Sequence, residues 1–382
     1  MNQSARTKHS AIVQFLRAQS LRGALITAVL LAGLSQVTPA ADPGFGEVKV
    51  LAQVPQPGFP EGVVRQGPLT FVTGPATFGL AGNGIPSKVW VYSTLTGGLI
   101  YTKDVVGEDL DQEHANSCAA VDAFGRLYVL NLQLGIIRFD PLLIAQQQYS
   151  KPFPDLKPCK EVRPGESCSP MPVDLPPLPN DLAFDLSGNA YVTDSLQATI
   201  WRVPAGGGDP QIWFQDVKLA PSLNIPGSIG ANGIRINPQH NKVYVAISID
   251  SHGQGNIYTL PLGNHPSSGS LNLFHSFAPG DVPDGMAFGA SGTLYVASAT
   301  PFNSSIIGLR GDGTEALRLT NPQGSPIKPY DSPANIAFNG RGSLLVTNHA
   351  FATGGTNPEQ FQVLQVYVND LEAGLFKPLI LP

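Results

Sequence analysis

The sequence predicts an all-β chain folded as a six-bladed propeller with four-stranded blades. Three observations carry that expectation. One pattern is written repeatedly: Leu178–Ser195, LPNDLAFDLSGNAYVTDS, opens on a polar pair, runs into an apolar strand, turns at Ser187-Gly188-Asn189 and continues as a second strand. It recurs as Ala231–Ser248, Pro283–Ala299, Pro333–His349 and Asn116–Asn131, and more loosely as Pro60–Gly74. The spacing is the second observation. Aligned on their strands, the copies place Glu61, Ser117, Asn180, Asn232, Asp284 and Ala334 at one position, with intervals of 56, 63, 52, 52 and 50 residues. That is the period of propeller blades, whereas a β-helical solenoid needs shorter and stricter rungs. Third, every hairpin is followed by further strand-like runs, such as Thr199–Val203 and then Gln211–Phe214.

From the N-terminus, residues 1–22 are polar and basic, Gly23–Leu34 is apolar, and Thr38-Pro39-Ala40 offers the small residues a signal peptidase reads. The apolar run is 12 residues long, short of the roughly 18–20 a membrane span needs. Residues 1–40 are therefore expected to be a secretory signal peptide, removed on export, with no membrane association afterwards. Residues 41–382 are expected to form one propeller domain, because each blade packs only on its neighbours and the usual size limit of a single core does not apply. The 41 Gly and 35 Pro suit many turns, and only 13% of residues are charged. A net charge of −5 supplies no basic field for nucleic acid or an anionic membrane. A monomer is expected.

Glu47–Val54 or Leu375–Leu381 should complete the sixth blade, since propellers protect their edges by lending a terminal strand to the last one. The span Tyr149–Pro177 is the only long insertion, with eight prolines, and is either a lid or a surface excursion. Within it Cys159 and Cys168 are expected to form a disulfide pinning the loop; a metal site is the alternative. Cys118, at the start of an inner strand, reads as a buried free thiol.

The aligned position sits where the chain enters the innermost strand, so six such residues form a ring at one mouth of the central channel. Packing would select apolar residues there. The position reads Glu, Ser, Asn, Asn, Asp, Ala instead. Two carboxylates (Glu61, Asp284) and two amides (Asn180, Asn232) offer the oxygens a hard divalent cation takes, Ca²⁺ above all, with Mg²⁺, Mn²⁺ or Zn²⁺ as further possibilities. Asn and Asp also cap turns readily, although Glu61, Ser117 and Ala334 show that this turn does not demand them.

These PEG, PND, ANG and PDG segments resemble the gluconolactonase family, the regucalcin-like group that includes luciferin-regenerating enzymes. The resemblance implies a metal-dependent hydrolase acting on a small-molecule lactone or ester. Carried over position by position, it implies that Glu61, Asn180, Asn232 and Asp284 hold the metal and that Asp284 is also the base. The chain departs from sugar-lactone members at Leu178, where they carry an Arg that grips the substrate, so an aldonolactone is in doubt and a less polar ester or lactone fits better.

His349 ends the second strand of the sixth copy and is a candidate second base or proton shuttle; His114, three residues before Ser117, is a candidate of similar standing, and for both a solvated loop histidine is the plainer reading. Asp194 and Asn131, at strand ends, could either support the site or cap turns. Ser195 lacks the G-x-S-x-G elbow of serine hydrolases and is set aside as a nucleophile. A non-catalytic NHL-type binding propeller and a strictosidine-synthase-like propeller are the alternative functions.

Overall fold

A computed structural model describes residues 43–382, apart from 144, 264, 301, 302, 352, 354, 375, 376, 381 and 382. The expected signal peptide, residues 1–40, lies outside the described residues. Phe45–Pro382 form one compact unit of six four-stranded antiparallel sheets. Five of them follow chain order. The first blade comprises Val63–Gln66, Leu69–Gly74, Lys88–Ser93 and Leu99–Asp104, and the third Pro179–Phe184, Ala190–Asp194, Thr199–Val203 and Gln211–Gln215. The second, fourth and fifth repeat the plan from Asn116, Ala231 and Pro283. In the sixth, Pro333–Phe338, Ser343–Asn348 and Gln362–Tyr367 take their outermost strand, Val48–Gln53, from the N-terminal end of the domain. The first of the two expected closures is thus the one used, and it ties the beginning of the ring to its end.

Strands of an open antiparallel sheet alternate apolar and polar residues, but these do not. Leu127–Asn131, Ala190–Asp194 and Leu294–Ser298 are buried at every residue, because each blade is covered on both faces by its neighbours. Each of the six interfaces between blades holds its own apolar cluster. Tyr128, Leu130 and Ile136 of the second blade meet Phe184, Val192 and Trp201 of the third, and six such interfaces close the ring. Trp90 and Trp201 sit in these interfaces almost wholly buried; truncating a side chain of that size typically costs about 3–5 kcal/mol.

The Tyr149–Pro177 insertion is not a lid here. Phe153 and Leu156 pack into the interface of the second and third blades, and Met171 into the next one. Gln197 clamps the loop, accepting from the Leu156 amide and donating to the Pro154 carbonyl. The Cys159–Cys168 disulfide is formed, and Cys118 is a buried free thiol.

At the channel mouth remote from the polar ring, the C-terminal segment lies against the turns that leave the inner strands. The Ala290 amide donates to Leu371, Ala373 to Phe288 and Ala123 to Pro378, while Ile380 enters the apolar cluster of the second and third blades. This segment covers a mouth of the channel and, among the described residues, adds no strand to a blade.

Candidate functional site

The inner strands are irregular at one place. In five blades the pairing with the second strand slips between the first and fourth residues, at Asn116/Ala119, Pro179/Leu182, Ala231/Ile234, Pro283/Met286 and Pro333/Ile336. The residues inside each slip are the aligned position and the one after it. A bulge of this kind re-aims side chains that strict alternation would send to opposite faces. It brings Ser117, Asn180, Asn232 and Asp284 to the floor of one cavity of ≈ 350 Å³, and Glu61 joins them from the first blade. Ala334, the apolar member of the ring, is buried beside them.

Hydroxyls hold the ring from behind, each reaching from the second strand of one blade to the backbone of the next. Thr73 donates to the Ser117 carbonyl, Thr193 to that of Asn232 (2.5 Å) and Thr347 to that of Glu61 (2.6 Å). Ser248 donates to Pro283 (2.7 Å) and accepts from the Asn232 amide nitrogen (2.9 Å). Sequence reasoning missed these donors, although their signal is the Thr of FVT, YVT and LVT at one place in three copies. Ser195 uses its hydroxyl in the same way, on Ala231 (2.7 Å).

Below the floor lies a second polar layer that sequence reasoning also missed. Asp181, adjacent to Asn180, is paired with the guanidinium of Arg235. Arg235 donates onward to Asn335 (3.0 Å), and Asn335 to the Cys118 sulfur (2.7 Å). An Arg in the middle of ANGIRI, an otherwise apolar innermost strand, was the available signal.

The electrostatics of the floor are unbalanced. Burial, with repulsion from Asp181, pushes the Glu61 carboxyl up to about 8. Burial, then Glu61, then Asp181 push Asp284 well above the carboxylate range. The Oδ1 atoms of Asn180, Asn232 and Asp284 are buried without a hydrogen-bond partner among the described residues. Left unpaired, each such oxygen costs roughly 1–3 kcal/mol. Three orphaned acceptors and two crowded carboxylates make a donor set suited to a hard cation. It is an all-oxygen set, and among the described residues no group of three or more His, Cys, Asp and Glu is placed to hold a metal.

His349 lies at this floor. Its Nε2 is 3.7 Å from Glu61 Oε2 and 2.7 Å from the Ala76 carbonyl, and its ring packs near Phe59 and Phe351. Burial lowers its pKa to about 4, opposed by the bond to Ala76, so the ring is neutral and Nε2–H donates to that carbonyl. Any exchange of protons falls to the other nitrogen.

His114 does not line the cavity. It is fully buried, with its two ring nitrogens 2.8 Å from the Gln112 carbonyl and 2.7 Å from that of Ile85. Burial lowers its pKa, but the two carbonyls, with Glu108 and Glu113, outweigh it and the net shift is upward from 6.5. A raised folded-state pKa contributes stability that is complete below the unfolded value and disappears as pH rises through the folded one. The urea midpoint should therefore fall as pH is raised from 6 through the folded pKa, and His114→Gln should flatten that decline. A wild-type midpoint constant over this range would contradict the assignment.

Asp194 accepts from the amides of Leu178, Leu196 and Gln197 and from the Trp201 indole, and Asn131 accepts from those of Gln133 and Leu134. Both organise turns. No residue of 149–177 lines the cavity.

Residues 177–350 match the family described as SMP-30/Gluconolactonase/LRE-like region. That span holds Asn180, Asn232, Asp284 and His349, with Glu61 upstream of it. None of the curated proteins compared with the chain matches it. Among solved structures, the chain is similar to a calcium-binding protein, regucalcin, from Agrobacterium tumefaciens, with 15% identity, TM-score 0.59, and 88% of this chain and 98% of that one covered. It is also similar to a gluconolactonase from Xanthomonas campestris (17%, TM-score 0.51, 84% and 89% covered) and to virginiamycin B lyase from Staphylococcus aureus (14%, TM-score 0.52, 84% and 99% covered). Identities this low speak for the fold, and proteins of such different names on one scaffold leave activity to be argued from the site. The chain carries an SMP-30/gluconolactonase/LRE-like region on a six-bladed propeller, the family its ring motifs resemble.

Proposed function

We propose that the protein is an exported hydrolase that opens a lactone or related ester with the help of a divalent cation, Ca²⁺ by preference, at the cavity floor. The observation that carries this reading is the set of buried, unpartnered oxygens on Asn180, Asn232 and Asp284 beside Glu61. These four residues would hold the ion, their two negative charges matching its two positive ones. When bound, such a cation polarises a carbonyl and acidifies a water molecule.

The chain's own residues do the rest. Asp284, at the cavity floor, takes the proton as water attacks the carbonyl carbon. The proton is returned to the departing alkoxide. His349, neutral and bonded to Ala76, bounds the site beside Glu61 and is the second candidate for moving a proton. Leu132, Leu178 and Ile249 line the walls and limit water around the reacting atoms. The basic, then apolar, run expected to be a leader within residues 1–40 and the disulfide of Cys159 and Cys168 both support export into an oxidising compartment.

Metal content of the purified mature protein, measured with lactone hydrolysis before and after chelation, tests the proposal. One equivalent of Ca²⁺, activity lost on chelation and activity restored by Ca²⁺ are expected. A folded, metal-free protein inert towards lactones and esters would be a binding propeller instead.

A further inference from the structure

Two residues before each floor residue, the six copies carry Phe59, Ala115, Leu178, Gly230, Val282 and Ser332. This is the next level of the channel going outward, and Ala115, Leu178, Val282 and Ser332 all line the cavity. Five of the six positions lack a polar side chain. Above them the wall is apolar to the rim except for Thr77, and at the rim Phe78 and Phe351 are 63% and 57% exposed. Among the described residues the lining contains no Lys and no Arg, and its acidic members, Glu61 and Asp284, are at the floor.

Ser332 stands out in this level. It is 1% exposed, its hydroxyl has no partner among the described residues, and its φ is +49°. An L residue held in the left-handed region and a buried hydroxyl left unpaired each destabilise the free protein. Both are expected where a group is kept for a ligand.

We propose that this site takes an uncharged lactone or ester with an alkyl or aryl body of several carbons, and that the Ser332 hydroxyl is its hydrogen-bond anchor above the floor. The proposal rests on the hydrolase reading for the reacting group, whereas the apolar wall and Ser332 set what is attached to it. A polyol would bury several hydroxyls against a wall whose hydroxyl partners are few, Ser332 and Thr77. A carboxylate or phosphate on the body of the ligand would be taken out of water against an apolar wall with no cationic side chain beside it.

The test is a panel on the full Ca²⁺-loaded protein: γ-butyrolactone, γ-octalactone, glucono-δ-lactone and a γ-lactone whose side chain ends in a carboxylate. Each methylene removed from water is worth roughly three- to fourfold, so kcat/KM should rise on the order of 10²-fold from γ-butyrolactone to γ-octalactone. The sugar and carboxylate lactones should fall below γ-octalactone by a similar factor. Leu178→Arg should erase most of that preference. Ser332→Ala should lower kcat/KM about tenfold for every lactone and leave the chain-length dependence as it was. Calorimetric titration with the lactam analogue of γ-octalactone supplies a readout without turnover, with a negative heat-capacity change on binding. Lactam binding without hydrolysis of any lactone would overturn the hydrolase reading and leave the ligand class standing. Hydrolysis indifferent to chain length, or fastest on glucono-δ-lactone, would overturn the ligand class and leave the hydrolase standing.

Discussion

Asp284→Asn is expected to lower kcat by about 10³-fold while the propeller stays folded. The substitution keeps shape and volume, and an amide can still accept from the Gly285 amide as the carboxylate does. What it removes is one of two negative charges at the floor and the proposed base. Loss of a positioned base alone accounts for roughly 10²–10⁴-fold, and Ca²⁺ affinity should weaken by at least about tenfold with half the ligand charge gone. Metal-free stability should move the other way. In the absence of a cation Asp284 is a buried carboxyl destabilised by desolvation, by Glu61 and by Asp181, so the amide should raise Tm. Activity, calorimetric Ca²⁺ titration and thermal melts of the metal-free proteins distinguish these effects. Wild-type activity together with wild-type Ca²⁺ affinity in the variant would remove Asp284 from the site.

Gly233→Ala is expected to be the most damaging single methyl group at the ring. A Cβ there would stand 2.3 Å from the carbonyl oxygen of Asp284 and 3.0 Å from its carbonyl carbon. Both are backbone atoms of the next blade, so no side chain can swing away. The fourth and fifth blades must separate, which costs about 1–3 kcal/mol or more for an overpacked core position. The separation carries Asp284 with it, and a misplacement of about 1 Å at a reacting centre can cost about 10²-fold in rate. Gly263→Ala is the control: a Cβ there meets nothing within 4 Å, and both stability and activity should be near wild type. If Gly233→Ala melted with Gly263→Ala and retained full activity, the inner strands would not be as tightly packed as their geometry requires.

Gly233 also shows why part of the site was legible and part was not. The six-fold recurrence, the strand count and the aligned position were readable because each blade repeats one local pattern, and local patterns depend on turn chemistry and strand period alone. The ring at Glu61, Asn180, Asn232 and Asp284 followed from alignment, and these residues do share one cavity floor. His349 and His114 had similar standing in the sequence, and only the closure of the ring separated them: His349 arrives beside Glu61, while His114 turns both nitrogens onto backbone carbonyls away from the cavity.

The layer of Asp181, Arg235 and Asn335 was hidden for a related reason. Strict alternation places Asn180 and Asp181 on opposite faces of their strand, and the bulge that sends both towards the axis is decided by hydrogen bonding between strands. Ser332 was likewise unreadable, because an unpartnered hydroxyl is a property of its surroundings. By itself, then, the sequence determined the fold, its repeat and the chemical character of one ring, because these are periodic and local. The tertiary structure alone decided which strand closes the sixth blade, that the Pro-rich loop packs beside the blades, which carboxylates repel one another and which oxygens are left without a donor, because those depend on distances between residues far apart in the chain.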